Sequence, residues 1–266
     1  MSTKRIVAFL GRSLDGSSQT LYRRRFVRRA SGSAFDTKSL RYSLARQYRR
    51  IHKRVPCAHQ EAEALILAEA ILSLSVPGPV VELGCYKGGL TSKLSLACQA
   101  AGRQLYVCDS FQGLPQPREA DSVHARVSGR LDRYRQGDYG GTFEEVSANV
   151  TRFGAVAVCQ FVKGYYCDTL PRLEISPALV FMDVDLIESA RDCVRHFWRR
   201  IIAGGQFFTH EAGGLTFVRG LLNPHWWHRE FGECPPVLFG AGYGYGPLAQ
   251  NLAYLDTTRD TAPPSI

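Results

Sequence analysis

The sequence predicts an α/β fold, a doubly wound and mostly parallel sheet, preceded by a basic helical extension. Three observations predict it. Five short apolar runs, VVEL (80–83), QLYVCDS (104–110), VAVCQFVKG (156–164), ALVFMDVD (178–185) and GQFFTHE (205–211), alternate with segments of helical character. Strands alternating with helices make a parallel sheet covered on both faces. Four of the runs close on or near an acidic residue (Glu82, Asp109, Asp183 with Asp185, Glu211), and open α/β sheets bind ligands at strand carboxyl ends. Charge is also divided unevenly: residues 1–54 hold 15 Lys/Arg against two acids, a net of +13, so the rest of a chain of net +9 carries −4.

The basicity therefore belongs to an appendage, 1–54, and the strand-helix alternation to a single domain, 55–266. Within the appendage, LYRRRFVRR (21–29) precedes LRYSLARQYRRIHKR (40–54), in which Leu40, Leu44, Tyr48 and Ile51 fall at near-helical spacing and predict a basic amphipathic helix. Three roles compete: a lid packed over the site, a contact with a membrane surface or polyanion, and a solvated tail. The apolar stripe favours a lid or packing role for 38–54. For 1–37 a tail and a contact with an anionic partner stand level.

HQEAEALILAEAILSL (59–74) predicts a helix leading into the first strand; His59 and Glu61 face a ligand or, more commonly for such positions, cap the helix or meet solvent. Thr142, with Glu145 three residues on, opens another helix with a capping-box pattern. After the fifth strand, Trp226, Trp227, His225 and His228 either line an acceptor pocket or pack at the sheet edge, the second being favoured, and Asn251 begins a final strand. The eight cysteines include no C-x-x-C pair and read as reduced thiols. The apolar run before Arg12 is too short for a signal peptide, and none elsewhere approaches the ~18 residues of a membrane span. A cytoplasmic protein is expected.

At VVELGCYKGG (80–89), Gly84 and Gly88 let the backbone approach a ligand that a Cβ would hold away. The G-x-G-x-x-G spacing of a dinucleotide site is absent. Asp109, 25 residues after Gly84 and at the next strand's tip, is placed to accept both ribose hydroxyls of a nucleoside. At the fourth and fifth strand ends Asp183, Asp185, His210 and Glu211 make a candidate metal-and-base cluster, since carboxylates and imidazole are competent ligands for a divalent ion.

In order and spacing, VELGCYKGG, CDSFQGLP (108–115), FVKGYYCDTLP (161–171) and FMDVDLIESARDCVRHFWRRIIAGG (181–205) resemble the macrocin and mycinamicin sugar O-methyltransferase family over about residues 75–215. The resemblance implies a Rossmann-like class I methyltransferase fold and S-adenosylmethionine (SAM) as cofactor. It implies a cofactor set of Glu82, Gly84, Tyr86, Gly88, Asp109, Ser110, Phe111, Lys163 and Gly164. It further implies Asp183 as general base, with Asp185, His210 and Glu211 holding magnesium that also binds acceptor hydroxyls. Where the family's fourth strand usually ends Asp-Gly-Asp-Leu-Tyr, this chain has Val184 and Ile187 for the glycine and tyrosine; where the fifth usually ends in two aspartates, it has His210 and Glu211. Imidazole suits zinc, iron or manganese better than magnesium.

Such chemistry uses these groups well. Methyl transfer is an in-line displacement at a sulfonium methyl, so the enzyme positions a hydroxyl and removes its proton; a placed carboxylate base contributes about 10² to 10⁴ in rate. The expected function is metal-assisted O-methylation of a small-molecule natural product or glycoside, by a homo-oligomer. The alternatives are a metal-independent small-molecule methyltransferase and an RNA-binding methyltransferase-like protein gripping phosphate through its arginine-rich arm.

Overall fold

Strand β1 (Val80–Leu83) is buried along its whole length, with β2 (Leu105–Asp109) parallel on one side and β6 (Leu179–Met182) parallel on the other. Burial on both faces is why three of its four residues are apolar, Glu82 being the exception. The computed structural model describes residues 19–33, 35–242, 244–246 and 249–257. Residues 1–18, part of the stretch read as a tail or anionic contact, lie outside them. Beyond β2 lies β5 (Cys159–Lys163) and beyond β6 lies β7 (Gln206–Thr209), both parallel. The short β9 (Ala253–Leu255) runs antiparallel to β7 and pairs in turn with β8 (Leu238–Phe239). The order β5-β2-β1-β6-β7-β9-β8 reverses direction between β1 and β6. That switch point opens a crevice beyond the carboxyl ends of both strands, where Gly84 and Asp183 follow.

Period-two alternation sends Val80 to one core and Val81 and Leu83 to the other. The first core lies under α2 (Lys38–His52), α3 (Glu61–Ser73), α4 (Gly89–Ala100) and α5 (Phe143–Phe153). The second lies under α6 (Ile187–Phe197), α7 (Leu215–Leu221) and α8 (Pro224–Phe231). Capping places two helix starts. Thr142 Oγ1 accepts from Glu145 N at 3.1 Å, as its spacing predicts, while the Glu145 carboxylate turns outward to Lys87, 3.1 Å away. At α3, Glu63 Oε2 accepts from Gln60 N at 2.8 Å.

The predicted amphipathic helix is α2: Leu44, Tyr48 and Ile51 are buried, Leu40 packs partly buried against the same core, and Tyr48 Oη donates to the Lys93 carbonyl at 2.7 Å. It lies against the helices covering the sheet. The preceding helical residues 19–28, called α1 here, bury Phe26 in the first core. Between the two helices Arg41 is almost wholly buried against Asp36, Nη2 to Oδ2 at 2.9 Å, and donates to the Phe26 carbonyl.

Trp226 and Trp227 are core residues, Trp227 Nε1 donating to the Leu221 carbonyl at 2.7 Å, whereas His225 and His228 are exposed; this is the packing reading. The alternation does not anticipate the antiparallel pair β3 (Val123–Ala125) and β4 (Leu131–Arg133), part of an excursion between β2 and α5 that folds over the crevice. All eight cysteines are free, and no helix among the described residues is long and apolar enough to cross a membrane.

Candidate functional site

Gly84 turns with φ 89°, and a Cβ there would collide with the Asp183 carbonyl oxygen. Only glycine lets the β1 tip pass this close to the β6 tip. The neighbouring Asp109 carboxylate is held by main-chain donors, Cys85 N to Oδ2 at 2.7 Å and Phe111 N to Oδ1 at 2.8 Å. These bonds join the first two strand tips and fix the carboxylate while leaving lone pairs for a ligand. Ser110 Oγ donates to the Gly113 carbonyl at 2.8 Å, shaping the next turn.

Gly84, Tyr86, Asp109 and Ser110 face one cavity of about 370 Å³. Other residues of the expected cofactor set do not line it. Gly88 caps α4 with φ 77°; Phe111 is buried, edge-on to Phe143 at 5.4 Å; Lys163 Nζ lies 5.8 Å from the Phe143 ring centre, and Gly164 turns away after it. Glu82 is fully buried, and neither carboxylate oxygen has a hydrogen-bond partner.

At the other end of the cavity the tips of β6 and β7 meet the start of α3. Asp183 sits between two imidazoles, its Oδ2 3.0 Å from His59 Nε2 and its Oδ1 3.4 Å from His210 Nδ1. The outer nitrogens are held too: His210 Nε2 is 3.1 Å from Glu63 Oε2, and His59 Nδ1 is 3.7 Å from Cys57 Sγ. Asp185, two residues on, has φ 59° and makes no hydrogen bond or ion pair among the described residues; it faces the cavity together with Glu211. A non-glycine residue held in the left-handed region costs of order 1–3 kcal/mol, which the surroundings sustain. Arg126, which donates to Asp132 at 2.9 Å and to Asn251, closes the wall with Tyr134 and Tyr139. No residue of α2 lines this cavity.

Two carboxylate tips, a glycine that only a β1–β6 approach requires, and a buried imidazole pair thus share one crevice. The pattern that defines the Macrocin-O-methyltransferase (TylF) family matches residues 59–220. The chain belongs to that family. The match begins at His59, so α1 and α2 precede it.

The chain is 33% identical over 142 residues to 8-demethyl-8-(2,3-dimethoxy-alpha-L-rhamnosyl)-tetracenomycin-C 4'-O-methyltransferase of Streptomyces olivaceus, covering 52% of this chain and 54% of that one. It is 32% identical over 142 residues to demethyldecarbamoylnovobiocin O-methyltransferase of Streptomyces niveus, covering 52% and 53%. It spans about half the length of the curated relatives it matches. Among solved structures, the O-methyltransferase NovP superposes with a TM-score of 0.60 at 22% identity, covering 76% of this chain and 84% of that one. The calicheamicin methyltransferase CalS11 superposes with a TM-score of 0.53 at 17% identity, covering 81% and 91%. Both share the Rossmann-like fold.

In this member of the TylF family the site's electrostatics divide the two aspartates. Burial opposes ionisation of Asp183, but the flanking His210 and His59 hold its carboxyl well below the usual range. Burial and the charge of His210 work against a proton on His59; Asp183 and Cys57 overcome them and push it up to about 9. His210 is raised likewise by Asp183 and Glu63 against its burial. Asp185 is pushed up to about 7 by burial and by the charge of Asp183, and Glu211 is raised by burial, Asp185 and Asp183. Desolvation opposes ionisation of the half-buried Cys57, yet hydrogen bonds from His52 and His59 and the charges of His59 and Lys93 bring its thiol down to about 4.

Sequence reasoning misses several of these groups. It ranks a ligand-facing His59 below a cap or surface role and does not single out Glu63, Arg126, Asp132, Tyr134 or Tyr139. The Gln60-x-x-Glu63 spacing at the start of α3 carried one local signal, a helix N-terminus pinned by a carboxylate. The excursion residues carried none.

Proposed function

We propose that the chain is a SAM-dependent O-methyltransferase that methylates a hydroxyl of a small-molecule natural product or glycoside, assisted by a divalent metal. The observation that carries this reading is that the Gly84–Asp109 cradle and the Asp183–Asp185–His210–Glu211 cluster open into the same cavity of about 370 Å³. A methyl donor at one end and an acceptor hydroxyl at the other then meet without crossing solvent.

The donor set fits a metal. His59, Asp183 and His210 each offer one ligand atom, and these atoms lie within 4.8 Å of one another. His59 Nε2 is buried without a hydrogen bond although it lies 3.0 Å from Asp183 Oδ2, an orphaned nitrogen that a cation would engage. Glu63 behind His210 and Cys57 behind His59 are placed as the outer partners that orient metal-bound imidazoles. Two imidazoles and a carboxylate favour manganese, iron or zinc over magnesium.

Bound SAM supplies an electrophilic methyl, and a bound divalent ion supplies a Lewis acid that lowers the pKa of the acceptor hydroxyl. Gly84 admits the nucleoside to the β1 tip, and Asp109, fixed by Cys85 N and Phe111 N, accepts from the ribose hydroxyls. His59, Asp183 and His210 hold the metal. Asp185, whose carboxylate faces the cavity without a partner, takes the acceptor proton. This reverses the roles that the family resemblance gives Asp183 and Asp185, because both Asp183 oxygens already face imidazoles. Glu211 is raised by burial and by the charges of Asp185 and Asp183, a repulsion among clustered carboxylates that a bound cation would relieve.

A metal-independent form of the same reaction has one observation in its favour: the raised His59 and His210 imidazoles neutralise the Asp183 and Glu63 carboxylates without an ion. Calorimetry with SAM, S-adenosylhomocysteine and NAD, followed by mass spectrometry of glycosides and phenols incubated with SAM, tests the function. Binding of the first two and gain of one methyl at a hydroxyl is the expected result; NAD binding in their place sinks it.

A further inference from the structure

Helices α1 and α2 enclose a second cavity of about 380 Å³, lined by Arg23, Arg24 and Arg28 from the first helix and by Tyr42, Arg46 and Arg49 from the second. Its floor is apolar, with Val27 and Ala45. Three arginines of the extension are paired: Arg29 with Glu69 at 3.1 Å, Arg41 with Asp36, and within the groove itself Arg23 with Glu61 at 2.9 Å; Arg25, Arg50 and Arg54, outside the groove, make no ion pair among the described residues. Arg24, Arg28, Arg46 and Arg49 are exposed and make no ion pair among the described residues. Arg24 and Arg28 stand at i and i+4, and Arg46 and Arg49 at i and i+3, spacings at which like charges repel. Four unpaired guanidiniums converging on one concavity form a site of high positive potential that an anion relieves.

We propose that this groove binds the phosphodiester backbone of a single-stranded nucleic acid. Guanidinium forks match phosphate oxygens in pairs. Tyr42, 60% exposed at the groove wall, offers an aromatic face on which a base stacks, and arginine planes offer the same. Basic residues along a groove with an aromatic beside them are what sequence-tolerant single-strand binding uses. A lipid surface fits less well. The apolar residues of the groove, Val27 and Ala45, are recessed at its floor beneath the guanidiniums, where a flat bilayer does not reach them. The groove lies outside the family match and shares no lining residue with the first cavity, so the inference stands apart from the methyl-transfer reading.

The test is fluorescence anisotropy of a short labelled oligouridylate with the full chain at several salt concentrations. Tight binding at low salt is expected, with log K falling against log salt by about 0.7 per contacted phosphate. Two variants, Arg24→Gln/Arg28→Gln and Arg46→Gln/Arg49→Gln, should each weaken binding at least tenfold. Arg133→Gln/Arg152→Gln, which removes the same charge elsewhere, should leave it within twofold. These groove side chains are exposed, so thermal unfolding of the variants should match the parent. Equal loss in the control pair would show diffuse attraction only and overturn the proposal. So would absence of oligouridylate binding, or capture of anionic vesicles that oligouridylate does not displace. Dimerisation abolished by the groove variants without oligouridylate binding would likewise assign the groove to a second copy of this chain.

Discussion

Glu63 and His210, 147 residues apart, meet at 3.1 Å between Oε2 and Nε2, and the same Glu63 oxygen accepts from Gln60 N at 2.8 Å. One carboxylate thus pins the start of α3 and orients the imidazole at the tip of β7. If His210 holds a metal through Nδ1, Glu63→Gln should lower metal occupancy about 10- to 100-fold in affinity, the usual cost of losing such an outer partner. Elemental analysis and competition with a chromophoric chelator read this directly. Unchanged affinity would leave Glu63 a helix cap alone.

The two aspartates should separate under substitution. Asp185→Asn is expected to lower kcat by about 10² or more while keeping SAM and metal affinity. Asp183→Asn should instead lose metal, because it removes the one carboxylate both imidazoles face. Isothermal calorimetry with SAM beside steady-state rates distinguishes them; the opposite pattern would restore Asp183 as the base.

Chelation should abolish turnover yet leave SAM bound, since the Gly84–Asp109 cradle uses none of the ligating groups. Manganese, iron or zinc should restore activity better than magnesium, and His210→Asp should shift the preference toward magnesium. Full activity after exhaustive chelation would leave the metal-independent form standing.

Asp109→Ala should weaken SAM by roughly 1.5–3 kcal/mol, the worth of hydrogen bonds to a charged group. It should also destabilise the fold, because Cys85 N and Phe111 N lose their acceptor. Unchanged SAM affinity measured by calorimetry would remove Asp109 from the cofactor site.

The metal-free chain should lose stability as pH rises. Glu82 is pushed up from 4.5 to about 8 by burial, so its contribution is complete below about pH 4.5 and lost as pH climbs through 8. His59, raised from 6.5 to about 9, contributes fully below about pH 6.5 and is lost through 9. The decline should be steepest between pH 6.5 and 8, where both titrate. Glu82→Gln should flatten it; an unaltered slope in urea unfolding would contradict the assignment.

The extension is held together by a buried pair, and to the domain by the hydrogen bond from Tyr48 Oη to the Lys93 carbonyl. The Arg41 and Asp36 side chains are 2% and 3% exposed, and removing one partner of such a pair costs about 3–5 kcal/mol. Asp36→Ala, or a chain starting at residue 38, should therefore unfold at lower urea than the parent while retaining SAM binding. Loss of cooperative unfolding in the shortened chain would show the extension to be part of the core.

By itself the sequence determined the parallel sheet, its helices and the strand tips where chemistry collects. Those are consequences of local pattern: VVEL is buried on both faces and is apolar but for Glu82, Gly84 must turn with positive φ, and Leu44, Tyr48 and Ile51 repeat at helical spacing. It also placed Asp109, Asp183, Asp185, His210 and Glu211 in one region, because parallel strands bring their carboxyl ends to one edge. The tertiary structure alone decided the division of labour among them. His59 reads locally as a cap or surface residue more readily than as a ligand-facing one, and only the packing of α3 beside β6 and β7 buries it 3.0 Å from Asp183. The same packing occupies Asp183 and leaves Asp185 open. Arg126, Tyr134 and Tyr139 reach the cavity from an excursion with no periodicity to announce it, and the groove of Arg24, Arg28, Arg46 and Arg49 exists only because two helices, each basic on its own, fold with those faces together. Pairings between residues far apart in the chain are set by sheet order and helix docking, and no local pattern encodes a distance across them.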